Sequence, residues 1–248
     1  MSQLAAIEVV TAATHLMRAG QWAAATDLLT ATTTDDPAER ALLALARAEV
    51  AVDHDFGQQT NHAAATLEAA LAAVPGDSWD LAILKFRQDY ASALFRSGGK
   101  NLRERVLTLI EEAPDDGRRG TANLWAGAMA DNVYEQPAEA IEYYQTALEL
   151  GEKCDDEWLI AMALRHLGYH AHAAGDLALA RTQWERSTEL LQNAGYLRPT
   201  LAQQAMLAVL LRDEGDAAGS RALATEVNRW ARQLGIPFII QETAELIA

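Results

Sequence analysis

The chain has 248 residues, half of them hydrophobic, and carries a net charge of −15 at pH 7. A surface this acidic repels phosphate backbones, which argues against direct binding to nucleic acid. The apolar residues are largely alanine and leucine, both strong helix formers, and only 6 prolines and 15 glycines interrupt them. We therefore expect an all-α protein.

The cysteine content and the N-terminal segment bear on where the protein resides. Cys154 is the only cysteine, so no disulfide can form within the chain. Residues 1–10 lack a basic region and contain Glu8, which argues against a signal peptide. No apolar run approaches the roughly 18 residues that a membrane-spanning helix needs. These features predict a cytoplasmic protein that does not enter a membrane.

In chain order, the first predicted turn is at Gly20 and Gln21. Trp22, Ala25 and Leu29 follow it with the spacing of one helix face. The next helix pair is predicted over 38–73, with a loop inside it at 53–57.

The start of this second pair has the signals of a capped helix. Asp36 is the expected N-cap, Pro37 takes the first helical position, and Glu39 is expected to reach back to the cap. A third pair is predicted over 79–112 and turns at Gly98 and Gly99. We interpret the segment 114–117 as a turn between repeats, because a solenoid needs no separate cores.

The second half of the chain repeats with a step of 40 residues. Ala180 aligns with the small residues Ala140 and Ser220, and Trp184 aligns with the aromatic Tyr144. Three successive units therefore begin near positions 121, 161 and 201. A step of this length accommodates two helices and their turns in each unit.

The unit between Leu164 and Trp184 alternates small and large residues in the way two closely packed antiparallel helices require. Its main positions are Leu164, Leu167, Gly168, Ala171, Gly175, Asp176, Ala180 and Trp184. This pattern resembles the tetratricopeptide repeat, whose usual period is about 34 residues. The longer step is similar to the long-repeat variety found in bacterial regulator and sensor proteins.

The resemblance implies a right-handed superhelical solenoid of about six antiparallel helix pairs plus a C-terminal capping helix. The whole chain, 1–248, would be a single solenoid, with degenerate repeats in 1–116, well-defined repeats in 117–235 and the capping helix in 236–248. The apolar residues of that last helix, including Phe238 and Ile239, would either pack inward or form a homodimer contact.

The resemblance also implies where a ligand binds, because the first helix of each pair lines the concave face in this family. Applying the family's inward positions to each unit gives Lys85, Asp89, Trp125, Met129, Asn132, Arg165, Tyr169, His172 and Arg212. Aromatic and arginine side chains of this kind are enriched at binding hot spots. The alternative is that Trp125 and Met129 belong to the core between repeats and that the charged residues are solvated.

No motif in the chain predicts catalysis, a cofactor or a metal site. His166 and His170 are four residues apart on one predicted helix, but no third ligand has suitable spacing. Gly98, Gly99 and Lys100 lack the preceding glycine of a phosphate-binding loop. Cys154 has no activating neighbour except Lys153. We therefore expect a protein that is not an enzyme.

The function that best fits these features is a non-catalytic scaffold that binds a protein or peptide segment in its concave groove. The alternative is a regulatory sensor, whose groove binds a small molecule or signalling peptide and thereby alters the binding of a partner. The third hypothesis is an enzyme whose active site is carried by the helical repeats.

Overall fold

The computed structural model describes residues 5–96, 98–99 and 101–247, and these form thirteen α-helices and no strand. This confirms the all-α prediction. Lys100, part of the segment considered as a phosphate loop, lies outside the described residues. No described helix is both long enough and apolar enough to cross a membrane. The chain divides into two compact units, Met1–Glu112 and Ala113–Ala248.

The first unit contains six helices whose neighbours in sequence pack against each other. They are α1 (Ala6–Arg18), α2 (Trp22–Ala31), α3 (Pro37–Gln58), α4 (Ala64–Ala73), α5 (Trp79–Arg96) and α6 (Leu102–Glu111). Helix α3 is central, since it contacts α1, α2, α4 and α5. Its buried Leu43 and Val50 join the core of α1 and α2, and its Ala48 and Val52 join the core of α4 and α5.

The predicted loop at 53–57 is wrong, because α3 continues without a break to Gln58. The chain turns instead at Gln59, which has a left-handed backbone conformation with φ of 56°. Asp55 explains why the sequence is misleading here. Its buried carboxylate accepts hydrogen bonds from the Thr60 hydroxyl and from the backbone N–H groups of His62 and Ala63. Asp55 is thus a helical residue whose side chain stabilises the loop that follows the helix, although in the sequence it resembles a loop residue itself.

The second unit contains six helices of 17 or 18 residues that follow the 40-residue step, and a shorter last helix of 11 residues. They are α7 (Asp116–Asn132), α8 (Pro137–Cys154), α9 (Glu157–Ala173), α10 (Leu177–Asn193), α11 (Leu197–Asp213), α12 (Ala217–Leu234) and α13 (Pro237–Ile247). Each helix packs against the next one along the chain. The units predicted from 121, 161 and 201 therefore correspond to the helices α7, α9 and α11 and their successors.

The turns of this unit repeat with the same step. Two series of residues have a left-handed backbone conformation: Glu135, Gly175 and Gly215 after the first helices, and Asp155, Gly195 and Gly235 after the second. In each case a helix begins two residues after the left-handed residue. The residue between them is the N-cap, and it is often an aspartate. Asp156, Asp176 and Asp216 each accept a backbone N–H from the first turn of their helix. The local sequence thus defines the helix ends.

Two glycines set the distance between the first and second helices. A Cβ atom on Gly168 would overlap the indole ring of Trp184, and one on Gly127 would lie 2.6 Å from the Tyr144 ring. Trp184 and Tyr144 are almost completely buried. Each aromatic ring therefore lies directly on the backbone of the facing helix. Trp184 also shares a core cluster with Leu210 of the next first helix.

Helix α13 packs on α11 and α12. Ile236 and Ile239 are almost fully buried in a cluster with Ala202 and Ala205 of α11. The Asn228 side-chain amide of α12 donates hydrogen bonds to the Ile240 carbonyl at 3.0 Å and to the Thr243 hydroxyl at 2.8 Å. These apolar residues of α13 therefore pack inward, which is the first of the two alternatives given above.

We expect Gly168→Ala to destabilise the protein by about 1–3 kcal/mol, because the added methyl group would force the Trp184 ring out of its packed position. Gly117→Ala is the matched control, since its Cβ would only reach ordinary contact, 3.5 Å from an Asp115 carboxylate oxygen. That change should be neutral or stabilising by up to about 1 kcal/mol. Urea denaturation measures both, and equal stabilities would contradict this account of the close approach.

The turn at Glu135 offers a reciprocal test of backbone strain. Glu135→Gly should stabilise the protein by up to about 1 kcal/mol, because glycine adopts a positive φ without the clash of a Cβ atom. Gly175→Ala places that clash at the equivalent turn, where no other atom lies within 4 Å, and should destabilise by about 1–2 kcal/mol. Thermal unfolding by circular dichroism reports both changes. A loss of stability in Glu135→Gly would show that its side chain contributes more than its backbone costs.

Candidate functional site

The candidate site lies on the first helices of the second unit. We call it the first-helix face and define it by Trp125 and Asn132 of α7, Arg165, Tyr169 and His172 of α9, and Arg212 of α11. The equivalent position Met129 is fully buried, so its side chain is part of the core and not accessible in this structure. Trp125 is partly buried, and Asn132 is exposed. The Asn132 amide donates to the Ala128 carbonyl of its own helix at 2.9 Å.

Arg165 is the most unusual residue of this face. Its side chain is partly buried, and its Nη1 atom is shielded from solvent without a hydrogen-bond partner. The backbone carbonyl of Arg165 accepts a hydrogen bond from the Trp184 indole at 2.9 Å, which ties this turn of α9 to α10. Burial lowers the pKa of Arg165 to about 10, although nearby Glu242 acts in the opposite direction. The guanidinium is still positively charged at neutral pH.

Tyr169 follows one turn later and is the most exposed tyrosine of the described chain, with 53% of its surface accessible. Its ring meets the His170 ring edge-on, with centroids 5.6 Å apart. A large exposed aromatic side chain on a rigid helix provides contact area with little loss of conformational freedom. Tyr169 is therefore the side chain of this face that is best placed for contact with another molecule.

His172 and Arg212, predicted from separate repeats, are brought together through Asp213. The Asp213 carboxylate lies 2.9 Å from His172 Nε2 and accepts from Arg212 Nε at 2.8 Å. These contacts lower the pKa of Asp213, with the Arg212 hydrogen bond as the larger cause and His172 as the smaller. The His172 ring also lies against Trp184, with centroids 5.4 Å apart. Helices α9 and α11 are thus linked at one end of the face.

Three residues near this face are not among the sequence-predicted site residues. Glu242 of α13 and Arg198 of α11 both lie close enough to Arg165 to shift its pKa electrostatically. Glu245 of α13 acts on Arg212 in the same way. One further step of 40 residues from position 201 places Glu242 and Glu245 at inward positions of α13. The repeat pattern therefore contains this signal, although the resemblance predicts α13 as a capping helix or a homodimer contact.

The histidines considered as a metal pair have other roles. The His166 ring stacks on Tyr144 with centroids 4.5 Å apart, and His170 Nε2 lies 3.0 Å from an Asp131 carboxylate oxygen. The Tyr144 hydroxyl donates to the same oxygen of Asp131 at 3.0 Å. Across the described ranges, no group of three or more histidine, cysteine, aspartate or glutamate side chains could hold a metal ion. These residues form a structural stack between α7, α8 and α9.

The two predicted residues of the first unit are placed differently. Lys85 is exposed, and Asp89 forms an ion pair with Arg105 of α6 at 2.5 Å. Leu81 and Leu84 of α5 join the core of α3, and Arg87 of α5 lies near enough to Glu49 of α3 to affect its pKa. Burial is the main cause that raises the pKa of Glu49, and Arg87 opposes it.

Comparison with known proteins identifies the fold but no family. No family model matches the chain, and no curated protein matches it. Among solved structures, it is similar to a signal transduction ATPase with numerous domains that carries a tetratricopeptide repeat sensor, from Pyrococcus horikoshii. The identity is 15%, the TM-score is 0.52, and the match covers 94% of this chain but 37% of that one. The likeness shows a tetratricopeptide-like helical-repeat fold.

The lowered pKa of the partly buried His166 predicts a pH-dependent stability. Burial, with smaller effects of Arg165 and His170, lowers the pKa of His166 from 6.5 to about 3. The unfolded chain therefore binds a proton that the folded chain does not. His166 should lower the free energy of unfolding by at most about 1.4 kcal/mol per pH unit as pH falls from 6.5 towards 3.

His166→Gln removes this contribution, so the variant should lose less stability than the wild type between pH 6.5 and pH 4. The same change at His62, which is exposed in the other unit, is the control. Urea denaturation across this pH range is the measurement. A pH dependence identical in wild type and His166→Gln would show that His166 is not held neutral in the folded protein.

Proposed function

We propose that this protein is a non-catalytic helical-repeat module that binds an extended segment of a partner protein on its first-helix face. The observation that carries the proposal is Arg165, a charged side chain whose buried Nη1 atom has no hydrogen-bond partner. Leaving such a donor unsatisfied costs about 1–3 kcal/mol or more. A bound ligand with an acceptor oxygen would satisfy it.

The neighbours of Arg165 support a peptide as this ligand. Tyr169 provides an exposed aromatic surface one turn away, and His172 and Arg212 extend the polar surface along α9 and α11. These side chains project from helices that are fixed by buried core contacts rather than from loops. A row of aromatic and polar side chains on rigid elements suits an extended chain, which offers carbonyl groups and side chains at regular intervals.

The charge and the single cysteine are consistent with the setting we propose. The net charge of −15 disfavours nucleic acid as a direct partner. Cys154 is an exposed free thiol, which suits a reducing compartment such as the cytoplasm. The output of the module would then pass through the partner that it binds.

The second candidate function is a sensor, in which the same face takes a small molecule or signalling peptide and thereby changes the binding of a partner. The observation that favours it is the likeness to a protein whose repeat domain is described as a sensor. Native mass spectrometry of the purified protein would separate the two. A small molecule that co-purifies with the wild type and is absent from Tyr169→Ala supports the sensor.

The partner-binding proposal predicts that Tyr169→Ala abolishes capture of the partner. Removing a central aromatic contact at a hot spot typically costs about 2 kcal/mol, roughly a thirtyfold loss of affinity. The measurement is affinity capture from a lysate of the source organism, quantified by mass spectrometry and accompanied by circular dichroism of each variant.

Trp230→Ala is the matched control. Trp230 is an aromatic residue of similar exposure, 41%, but it lies on the second helix α12 and is not one of the residues that define the first-helix face. We expect wild type and Trp230→Ala to capture the same proteins and Tyr169→Ala to lose them. If folded Tyr169→Ala captures the same proteins as the wild type, the first-helix face is not the binding surface.

A further inference from the structure

A cavity opens between the C-terminal end of α10, the first turns of α11 and the second half of α12. Its volume is about 380 Å³, and small-molecule sites in proteins usually span about 300–1,000 Å³. Leu197 and Leu201 of α11 line it four residues apart, as do Glu226 and Trp230 of α12, so each helix turns one face towards the cavity. None of the residues that define the first-helix face lines it.

The base of the cavity is apolar and held in place by the fold. Leu191 and Leu201 line it and are almost completely buried. The turn that joins α10 to α11 is fixed by two hydrogen bonds. The Tyr196 N–H donates to the Leu191 carbonyl at 2.9 Å, and the Thr200 hydroxyl donates to the Tyr196 carbonyl at 2.7 Å. The cavity therefore offers a preformed surface to an apolar group.

The wall formed by α12 combines an aromatic ring with a carboxylate. The Trp230 indole Nε1 donates to Glu226 Oε1 at 2.9 Å, which holds the ring and the carboxylate side by side. Trp230 is 41% exposed, so part of its surface is open to a ligand. Glu226 is the only charged side chain among the described residues that line the cavity. The wall is therefore negatively charged.

The neighbouring Arg229 shows which chemistry this wall accepts. Its guanidinium donates to both carboxylate oxygens of Glu226, at 3.0 and 2.5 Å, and its central carbon lies 5.2 Å from the centre of the Trp230 ring. A carboxylate and an aromatic face both attract cations. Arg229 is not among the residues that line the cavity, so its guanidinium leaves the space beside Trp230 and Glu226 open.

We infer that this cavity binds a small organic molecule that joins an apolar body to one amine or guanidinium group. The apolar body packs on Leu191 and Leu201, and the cation lies against Glu226 and Trp230. An anionic ligand would be repelled by Glu226 and by the net charge of −15. The lysine side chain of a partner protein has only a thin aliphatic stem and would leave the apolar base largely uncovered. This site is separate from the first-helix face and adds a second ligand to the proposed function.

The experiment compares three probes that share an apolar body: phenethylamine, the neutral phenethyl alcohol and the acidic phenylacetate. The full-length, isotopically labelled protein is titrated with each probe, and NMR follows the indole N–H signals of its six tryptophans. Trp230→Phe identifies the Trp230 signal by its loss. Affinities for each variant are measured from the saturation-transfer signal of the probe.

The variants are Glu226→Gln, Trp230→Ala, Arg229→Gln and the control Glu189→Gln. Glu189 is an exposed residue of α10 that does not line the cavity, so its variant has the same net charge as Glu226→Gln. The exchanged side chains of α12 are exposed, so these variants should fold, and circular dichroism checks this.

Phenethylamine should shift the Trp230 signal and bind more tightly than phenethyl alcohol, and phenylacetate should not bind. Glu226→Gln should weaken phenethylamine binding about threefold, since an exposed ion pair contributes modestly. Trp230→Ala should weaken it about tenfold, because it removes both apolar surface and the cation–π contact, and Trp230→Phe should retain part of the affinity. Arg229→Gln should strengthen binding about threefold, since it removes a positive charge beside Glu226. Glu189→Gln should match the wild type.

Equal affinities for phenethylamine and phenethyl alcohol would overturn this inference, and so would an unchanged Trp230 signal. An equal loss in Glu226→Gln and Glu189→Gln would also overturn it, because the amine would then respond to the net charge rather than to the cavity. If phenethylamine does not bind but Trp230→Ala loses proteins in the capture experiment, the cavity takes a side chain of a partner and the inference is wrong. The proposed function is tested separately by Tyr169→Ala.

Discussion

The second unit depends on the close approach of two helices at a glycine. Trp184 lies on the backbone at Gly168, and Tyr144 lies on the backbone at Gly127. Because both aromatic rings are buried, replacing either by alanine would leave a large cavity, a change that typically costs about 3–5 kcal/mol. The contact fixes the distance between the first and second helices. Arg165 and Tyr169 lie within one turn of Gly168 on α9, so this contact also fixes the backbone that carries them.

The same contact links core packing to the polar groups of the candidate site. The Trp184 indole donates to the Arg165 carbonyl, and its ring also lies against His172. Tyr144 in turn stacks on His166 and donates to Asp131. Core residues therefore hold the backbone and rings next to the exposed groups. A site supported in this way loses little conformational entropy when a ligand binds, which favours affinity.

The polar side chains of this unit differ in whether the fold provides them with hydrogen-bond partners. Asp156, Asp176 and Asp216 satisfy helix ends, and Asp213 is satisfied by His172 and Arg212. Arg165 retains a buried donor without a partner. Polar groups of this kind are rare in folded proteins, since burial without a hydrogen bond is costly. Gln183 and Gln203 also have a buried polar atom without a partner, but Arg165 occupies a position where the repeat pattern predicts a ligand.

The sequence by itself determined the all-α fold, the 40-residue step and most helix ends, because caps, left-handed turns and one-sided apolar patterns act between residues a few positions apart. Asp36 and Asp176 show this directly, as each caps the helix that follows it. Asp55 shows the limit of such local patterns. It is typical of a loop, but it lies within α3 and accepts a hydrogen bond from the backbone N–H of Ala63, eight residues later. The first unit shows another limit, because Asp89 of α5 pairs with Arg105 of α6, 16 residues later in the chain, only once the two helices have packed.

Only the tertiary structure decided which side chains meet, because those contacts join helices that are distant in sequence. His170 meets Asp131 and His172 meets Asp213 at separations of 39 and 41 residues. Charge pairing of this kind depends on the distance and burial of both groups, and no local pattern of residues specifies either quantity.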